Sequence, residues 1–145
     1  MYALLGSVWN ASAVVVDATG VGAGLASFLR ASLERGPAPV RVVPFVFSAS
    51  SKSQLGWDFT SLIEAGRCKE YADDSSSGTP EGRVTAEYWR QLREVTFDIS
   101  PGPNKLMRWS VPAGCGHDEL VMSAALVVAL ETVDLRSRIA RGVRS

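Results

Sequence analysis

The sequence predicts an α/β fold, and three observations lead there. Ser12-Ala-Val-Val-Val-Asp17 is a continuously apolar run of the kind found in strands buried on both faces of a parallel sheet. A glycine-rich turn and a helical pattern follow it, and a second apolar run occupies Val40–Phe47, so strand, helix and strand alternate. Two further strand-like runs flank Ser100-Pro-Gly-Pro-Asn104, which is turn chemistry between hairpin arms.

Taken in order, Tyr2–Asn10 reads as the tail of a helix. After the first strand, Ala18-Thr-Gly-Val-Gly-Ala-Gly24 is a turn, and Val21–Arg35 is helical, with Leu25, Phe28, Leu29 and Leu33 at helical spacing and Gly36-Pro37 as its stop. Pro44 within the second strand places an edge or bulge there. Ser50–Gly66 is the clearest helix, with Leu55, Phe59, Leu62 and Ile63 on one face, Ser51 or Ser53 as N-cap and Gly66 just past its end. Asp73–Gly82 has loop composition. Val84–Glu94 is helical, with Tyr88, Leu92 and Val95 in register. The hairpin pairs Val95–Ile99 with Lys105–Val111. His117–Val133 is a strongly apolar helix, and an Arg-rich tail closes the chain. Two strands make no self-sufficient sheet, so further strands must come from the hairpin or from chain beyond this sequence. There is no internal repeat and no sign of a second domain.

The composition narrows the function classes. A chain of 145 residues with 46% hydrophobic and 21% charged residues suits one globular domain. No apolar run reaches the roughly 20 residues of a membrane span, so no membrane partner is expected. The opening residues lack a basic n-region and a cleavage-type site. With 15 Lys+Arg against 15 Asp+Glu the net charge is zero, which excludes an electrostatic blanket for nucleic acid but not a local patch. Cys68 and Cys115 are far apart and read as free thiols. With His117 the only histidine, a multi-imidazole zinc site is excluded. Any metal must rest on carboxylates, which select a hard cation such as Mg2+ or Mn2+. The tryptophans Trp9, Trp57, Trp89 and Trp109 are dispersed and read as packing residues, not a base-stacking platform.

Two motifs carry potential chemistry. In the first, Val14-Val-Val-Asp17-Ala-Thr-Gly20-Val-Gly22-Ala-Gly24, the third glycine is out of register for dinucleotide binding, and the Lys-Ser/Thr of a P-loop is missing. Asp17 stands where a strand's carboxyl end opens into the crevice used by α/β proteins, and it could equally cap the turn that follows. In the second, Gly116-His117-Asp118-Glu119 tips an otherwise apolar helix. The helix dipole accounts for one acid there, but a buried helix carrying a polar trio at its tip is built to present that trio at a cleft. Asp118 and Glu119 are neighbours, so only one can face a given metal squarely. Lys52, at the start of a helix, could meet a phosphate or remain a solvated lysine. Arg138 and Arg141, with Arg136 and Arg144, read either as a phosphate-tracking arm or as a soluble terminus.

Val16-Asp17-Ala-Thr-Gly-Val-Gly22, Phe47-Ser-Ala-Ser-Ser-Lys52, Leu62-Ile-Glu-Ala-Gly-Arg67 and His117-Asp-Glu-Leu-Val-Met-Ser-Ala-Ala-Leu126, in this order, resemble the C-terminal nuclease region of the large subunit of phage terminases. The resemblance spans Ser12 to about Leu130. It implies a ribonuclease H-like mixed sheet flanked by helices over residues 1–134, followed by the Arg-rich tail 135–145. It further implies a two-metal endonuclease that cuts concatemeric double-stranded DNA during genome packaging in the host-cell cytoplasm, encoded by a phage or prophage. Its partners would be the DNA, the terminase small subunit and the portal protein. Carried over, Asp17, Asp118 and Glu119 are the catalytic metal ligands, with Glu119 where the family often has Asp. Lys52, His117, Arg138 and Arg141 are, on their own chemistry, the residues expected to contact DNA, and His117 could instead orient a carboxylate, cap the helix or serve packing. The family's first catalytic Asp and its ATPase motor have no counterpart, so the resemblance implies a domain incomplete at its N-terminus.

Two metal ions about 3.5–4 Å apart need three or four carboxylates around them, and two or three acids would hold one ion weakly. Three other readings stay open on the residues themselves: a resolvase-type nuclease of the same fold, a nucleotide-binding module of the actin or sugar-kinase kind, and an inactive terminase remnant acting as an interaction domain.

Overall fold

The computed structural model describes residues 4–5, 8–35, 39–69 and 76–133. The tail with Arg138 and Arg141, residues 1–3 and residues 73–75 of the expected loop lie outside the described residues. The chain divides into two compact units, one formed by Met1–Pro44 with Leu130–Ser145, the other by Phe45–Ala129. The architecture is mixed α/β, as the alternation of patterns predicts. No helix of the described residues is long and apolar enough to cross a membrane.

In the first unit, strand β1 (Ala13–Asp17), helix α1 (Gly22–Leu33) and strand β2 (Arg41–Phe45) follow one another. The two strands pair. The Arg41 N–H donates to the Ser12 carbonyl, so both strands start from the same end, the parallel arrangement a helical crossover requires. Leu33, Val40 and Val42 form the buried core, with Val14, Val16 and Leu29 against it. The expected burial of β1 on both faces does not hold: its valines are half-buried, because the sheet has two strands among the described residues and α1 packs on it. Nor do Leu25 and Phe28 point inward, being about half exposed. Ala26 and Leu33 are the buried residues of α1, and Leu29 packs with Leu33 against Val40 and Val42.

The second unit holds helix α2 (Ala49–Glu64), helix α3 (Pro80–Glu94), the hairpin β3 (Thr96–Ile99) and β4 (Met107–Ser110), a 3-10 turn (Ala113–Cys115) and helix α4 (Glu119–Leu126). The hairpin is antiparallel, with Phe97 opposite Trp109 and Asp98 opposite Arg108. Its core joins Leu55 and Phe59 of α2, Met107 and Trp109 of β4, Val111, and Val121 and Ala125 of α4. Gly56 permits the closest contact: a Cβ there would lie 2.5 Å from Trp109 Nε1 and 2.7 Å from Met107 Sδ. An apolar cavity of about 100 Å³ remains beside this contact, lined by Phe59, Thr60, Ile63, Leu92, Phe97 and Val121 among others.

Several boundaries differ from the sequence reading. Helix α2 is capped by Ser48, not Ser51 or Ser53. Ser48 and Ser51 form a reciprocal capping box, while Ser53 is buried and accepts from the Met107 N–H at 2.8 Å. Gly66, as expected, follows the helix in a left-handed conformation, at φ +64°. Helix α3 begins at Pro80 instead of Val84, because Thr79 accepts from the Gly82 N–H and Pro80 supplies the preset φ of a first helical residue. Helix α4 is far shorter than His117–Val133: it starts after Asp118, and the backbone tightens into a 3-10 turn at Val127–Leu130, where two adjacent β-branched valines disfavour the α form. Of the tryptophans only Trp109 is in the core, at 7% exposure, while Trp9 and Trp57 are exposed at 72% and 42%. Among the described residues the strands form two sheets of two strands each.

Candidate functional site

The predicted site residues fall into the two units and form two separate settings. In the first unit β1 ends at Asp17, whose exposed carboxylate Oδ1 accepts from the Thr19 N–H at 2.8 Å. The side chain therefore does the turn-capping work that its sequence position allowed. Gly22 explains the turn's composition, since a Cβ on it would collide with the Asp17 carbonyl oxygen. Gly22 thus lets the start of α1 lie against the end of β1.

The second setting lies at the tip of α4. Asp118 is its N-cap by position but makes no capping hydrogen bond with its side chain, and its φ of −121° and ψ of 14° depart from the extended conformation usual there. The Asp118 carboxylate faces Lys52 instead, Oδ2 to Nζ at 3.9 Å. Lys52 sits in the first turn of α2, its Nζ 5.7 Å from the centre of the Trp109 ring and its carbonyl accepting from the indole N–H at 2.7 Å. The cation is thus held between a carboxylate and an aromatic face. Two of the four motif segments, Phe47–Lys52 and His117–Leu126, meet at this ion pair.

His117 and Glu119 turn the other way. His117 Nδ1 lies 3.3 Å from Glu119 Oε1, and the side chains are 85% and 69% exposed. Asp118 and Glu119 diverge, as neighbours at a helix start must. The pair His117–Glu119 is a solvated one, worth at most a few tenths of a kcal/mol up to about 1 kcal/mol when the imidazole is charged.

Sequence reasoning missed the residues that support this tip. Gln91 of α3 is 2% exposed, and its Oε1 accepts from the N–H groups of Leu120 (3.0 Å) and Val121 (3.1 Å). Its Nε2 donates to Glu87 Oε1 at 3.0 Å. Arg90 binds Glu87 through two nitrogens, pairs with Glu94, and donates to the Cys115 carbonyl at 2.5 Å. Hydrogen bonding from Arg90, then from Gln91, holds the Glu87 carboxyl down at about 2 from 4.5. The same partner raises the Arg90 guanidinium above its ordinary value. The available signal was Glu87, Arg90, Gln91 and Glu94 at one-turn spacing on a helix of low hydrophobicity, but such spacing is shared by many solvated faces.

Among the described residues, no three His, Cys, Asp or Glu side chains within either unit converge on one point. The first unit offers Asp17, the second Asp118 and Glu119. Each set has the hard oxygen donors Mg2+ or Mn2+ prefers, and each is too small for two ions. Neither set by itself makes more than part of the shell of one such ion, and Asp118 could join one only by giving up Lys52. No protein-family model, no curated protein and no solved structure matches the chain.

Proposed function

We propose that the chain is a ribonuclease H-like nuclease region of the phage-terminase large-subunit type, acting on double-stranded DNA. The observation that supports this is the meeting of two separate motif segments at Lys52 and Asp118, which puts a cation suited to phosphate beside a carboxylate suited to a divalent ion. Asp118 with Glu119 in one unit, and Asp17 in the other, are the acids that would serve as ligands to Mg2+ or Mn2+, which in such enzymes activates the attacking water and steadies the leaving oxygen. Lys52 would pair with a backbone phosphate, and His117 would orient Glu119. The terminase small subunit, the portal protein and a setting in the cytoplasm of a phage-infected or lysogenic host belong to the same proposal.

Plasmid nicking is the direct test. Mn2+-dependent conversion of supercoiled to open-circular DNA is expected, and Asp118→Asn and Asp17→Asn should each abolish it. Nicking that survives both substitutions would overturn the assignment. Calorimetric titration of the chain with Mn2+ should show at most one weak site, and two tight sites would contradict the donor count. Protein that neither nicks nor binds Mn2+ yet forms concentration-dependent oligomers would instead be a remnant acting as an interaction domain.

A further inference from the structure

We propose that Gln91 is a positioning residue that takes over the N-cap of α4, so that the Asp118 carboxylate is held free of helix-capping duty and faces Lys52. This rests on the reading of Asp118 as a functional acid.

A helix start leaves its first N–H groups without intrahelical partners, and the side chain of the N-cap residue normally accepts from the second or third of them. Asp is among the best residues for that task, and Asp118 occupies the position. It nevertheless makes no such bond. The two N–H groups it would serve, Leu120 and Val121, both go to Gln91 Oε1. Val121 is fully buried, so its N–H cannot turn to water and must have a protein partner. Gln91 supplies it from another helix.

The orientation of the Gln91 amide follows from its other end. A carboxylate can only accept, so Glu87 Oε1 selects the Gln91 amide nitrogen and turns the amide oxygen toward α4. Arg90 in turn holds Glu87 and also reaches the Cys115 carbonyl in the segment that leads into α4. One face of α3 therefore fixes both the start of α4 and the strand of chain before it. With its usual task performed elsewhere, Asp118 keeps a carboxylate that points at Lys52, where a ligand can compete for it.

Amide hydrogen exchange on the whole chain tests the cap. In the parent protein Leu120 and Val121 amides should be protected, and Asp118→Ala should leave them protected with little change in Tm. Gln91→Met should reduce that protection to what Asp118 can supply as a substitute cap, and lower Tm by several degrees. The double substitution adds a readout that lost packing alone does not move. With Gln91 replaced, Asp118 becomes the available cap, so Asp118→Ala should lower Tm in that background by several degrees more than it does alone. Gln91→Glu keeps the accepting oxygens but sets a second carboxylate against Glu87, so it is paired with Glu87→Gln, whose amide can donate to it; this exchanged pair should retain the Leu120 and Val121 protection even where Gln91→Met fails to fold. Protection lost in Asp118→Ala, or purely additive substitutions, would overturn the proposal.

Mn2+ binding separates this from the functional reading. Parent protein that binds Mn2+ through Asp118 should bind it at least severalfold more weakly as Gln91→Met, and unchanged affinity would overturn the positioning role. Parent protein that fails to bind Mn2+ overturns the nuclease reading and the ligand-facing role of Asp118, while the exchange results still decide which residue caps α4.

Discussion

Glu87 shows how one side chain can make a fold depend on pH. Arg90 and Gln91 both donate to it, and its carboxyl is held down at about 2 against 4.5 without them. A carboxyl depressed in the folded state binds its proton first in the unfolded chain as pH falls. Its contribution is therefore complete above pH 4.5 and is lost progressively from there down through about 2. Glu87→Gln should be less stable than the parent at neutral pH, and the gap should close across that acid window. Urea midpoints measured along a pH series would show it, and a constant gap would contradict the assignment. Because Gln91 leans on the same carboxylate, acid should also loosen the start of α4.

Helix α2 makes two unlike hydrogen-bonded attachments in its first two turns, and they separate local from tertiary effects. Ser48 caps the helix through its reciprocal pair with Ser51, at the exposed surface. Ser53, one turn on, is buried and accepts the Met107 N–H of β4. Removing the exposed cap in Ser48→Ala should cost about 1 kcal/mol, the usual worth of a Ser N-cap. Ser53→Ala leaves a buried backbone donor without a partner, for which about 1–3 kcal/mol is the ordinary penalty. Equilibrium denaturation should therefore rank Ser53→Ala as the more damaging, and the reverse order would show that the α2–β4 attachment is not a main support. Gly56 belongs to the same contact, since its missing side chain is what lets Trp109 lie against α2 with its indole N–H on the Lys52 carbonyl.

The molecule as a whole is divided unevenly. Among the described residues, the unit of Phe45–Ala129 has a core of eight buried side chains drawn from α2, β4, Val111, α4 and the turn after it, whereas the core of the other has three. Local opening costs least where few apolar contacts are lost. Native-state hydrogen exchange should consequently find slower amides at the centre of α2 and in β4 than in β1 and α1. Equal protection in both would mean that the chain opens as one cooperative body. The two groups of acids follow the same division, Asp17 in the smaller unit and Asp118 with Glu119 in the larger, which is why the metal capacity of the chain is counted unit by unit.

Much of this was legible in the residues alone. The Val14–Asp17 run, the helix through Leu55 and Phe59, and the hairpin about Ser100–Asn104 needed only period and turn chemistry, because alternation, helical spacing and proline–glycine turns act over a few neighbouring residues. The polar tip at His117–Glu119 was visible for the same reason. What tertiary structure alone decided is which polar groups meet. Lys52 and Asp118 are distant in sequence, and nothing in the composition near either foretells that the lysine will lie between the Asp118 carboxylate and the Trp109 ring. Gln91 was silent altogether, since a glutamine on a helix reads as a solvated residue until a second helix is laid against it. Helix starts shifted for a related reason: several serines could cap α2 locally, and the burial of Ser53 against Met107 left Ser48 to do it. Local chemistry determines which elements can form, whereas the partners of buried hydrogen-bonding groups are settled only when the elements pack and exclude water.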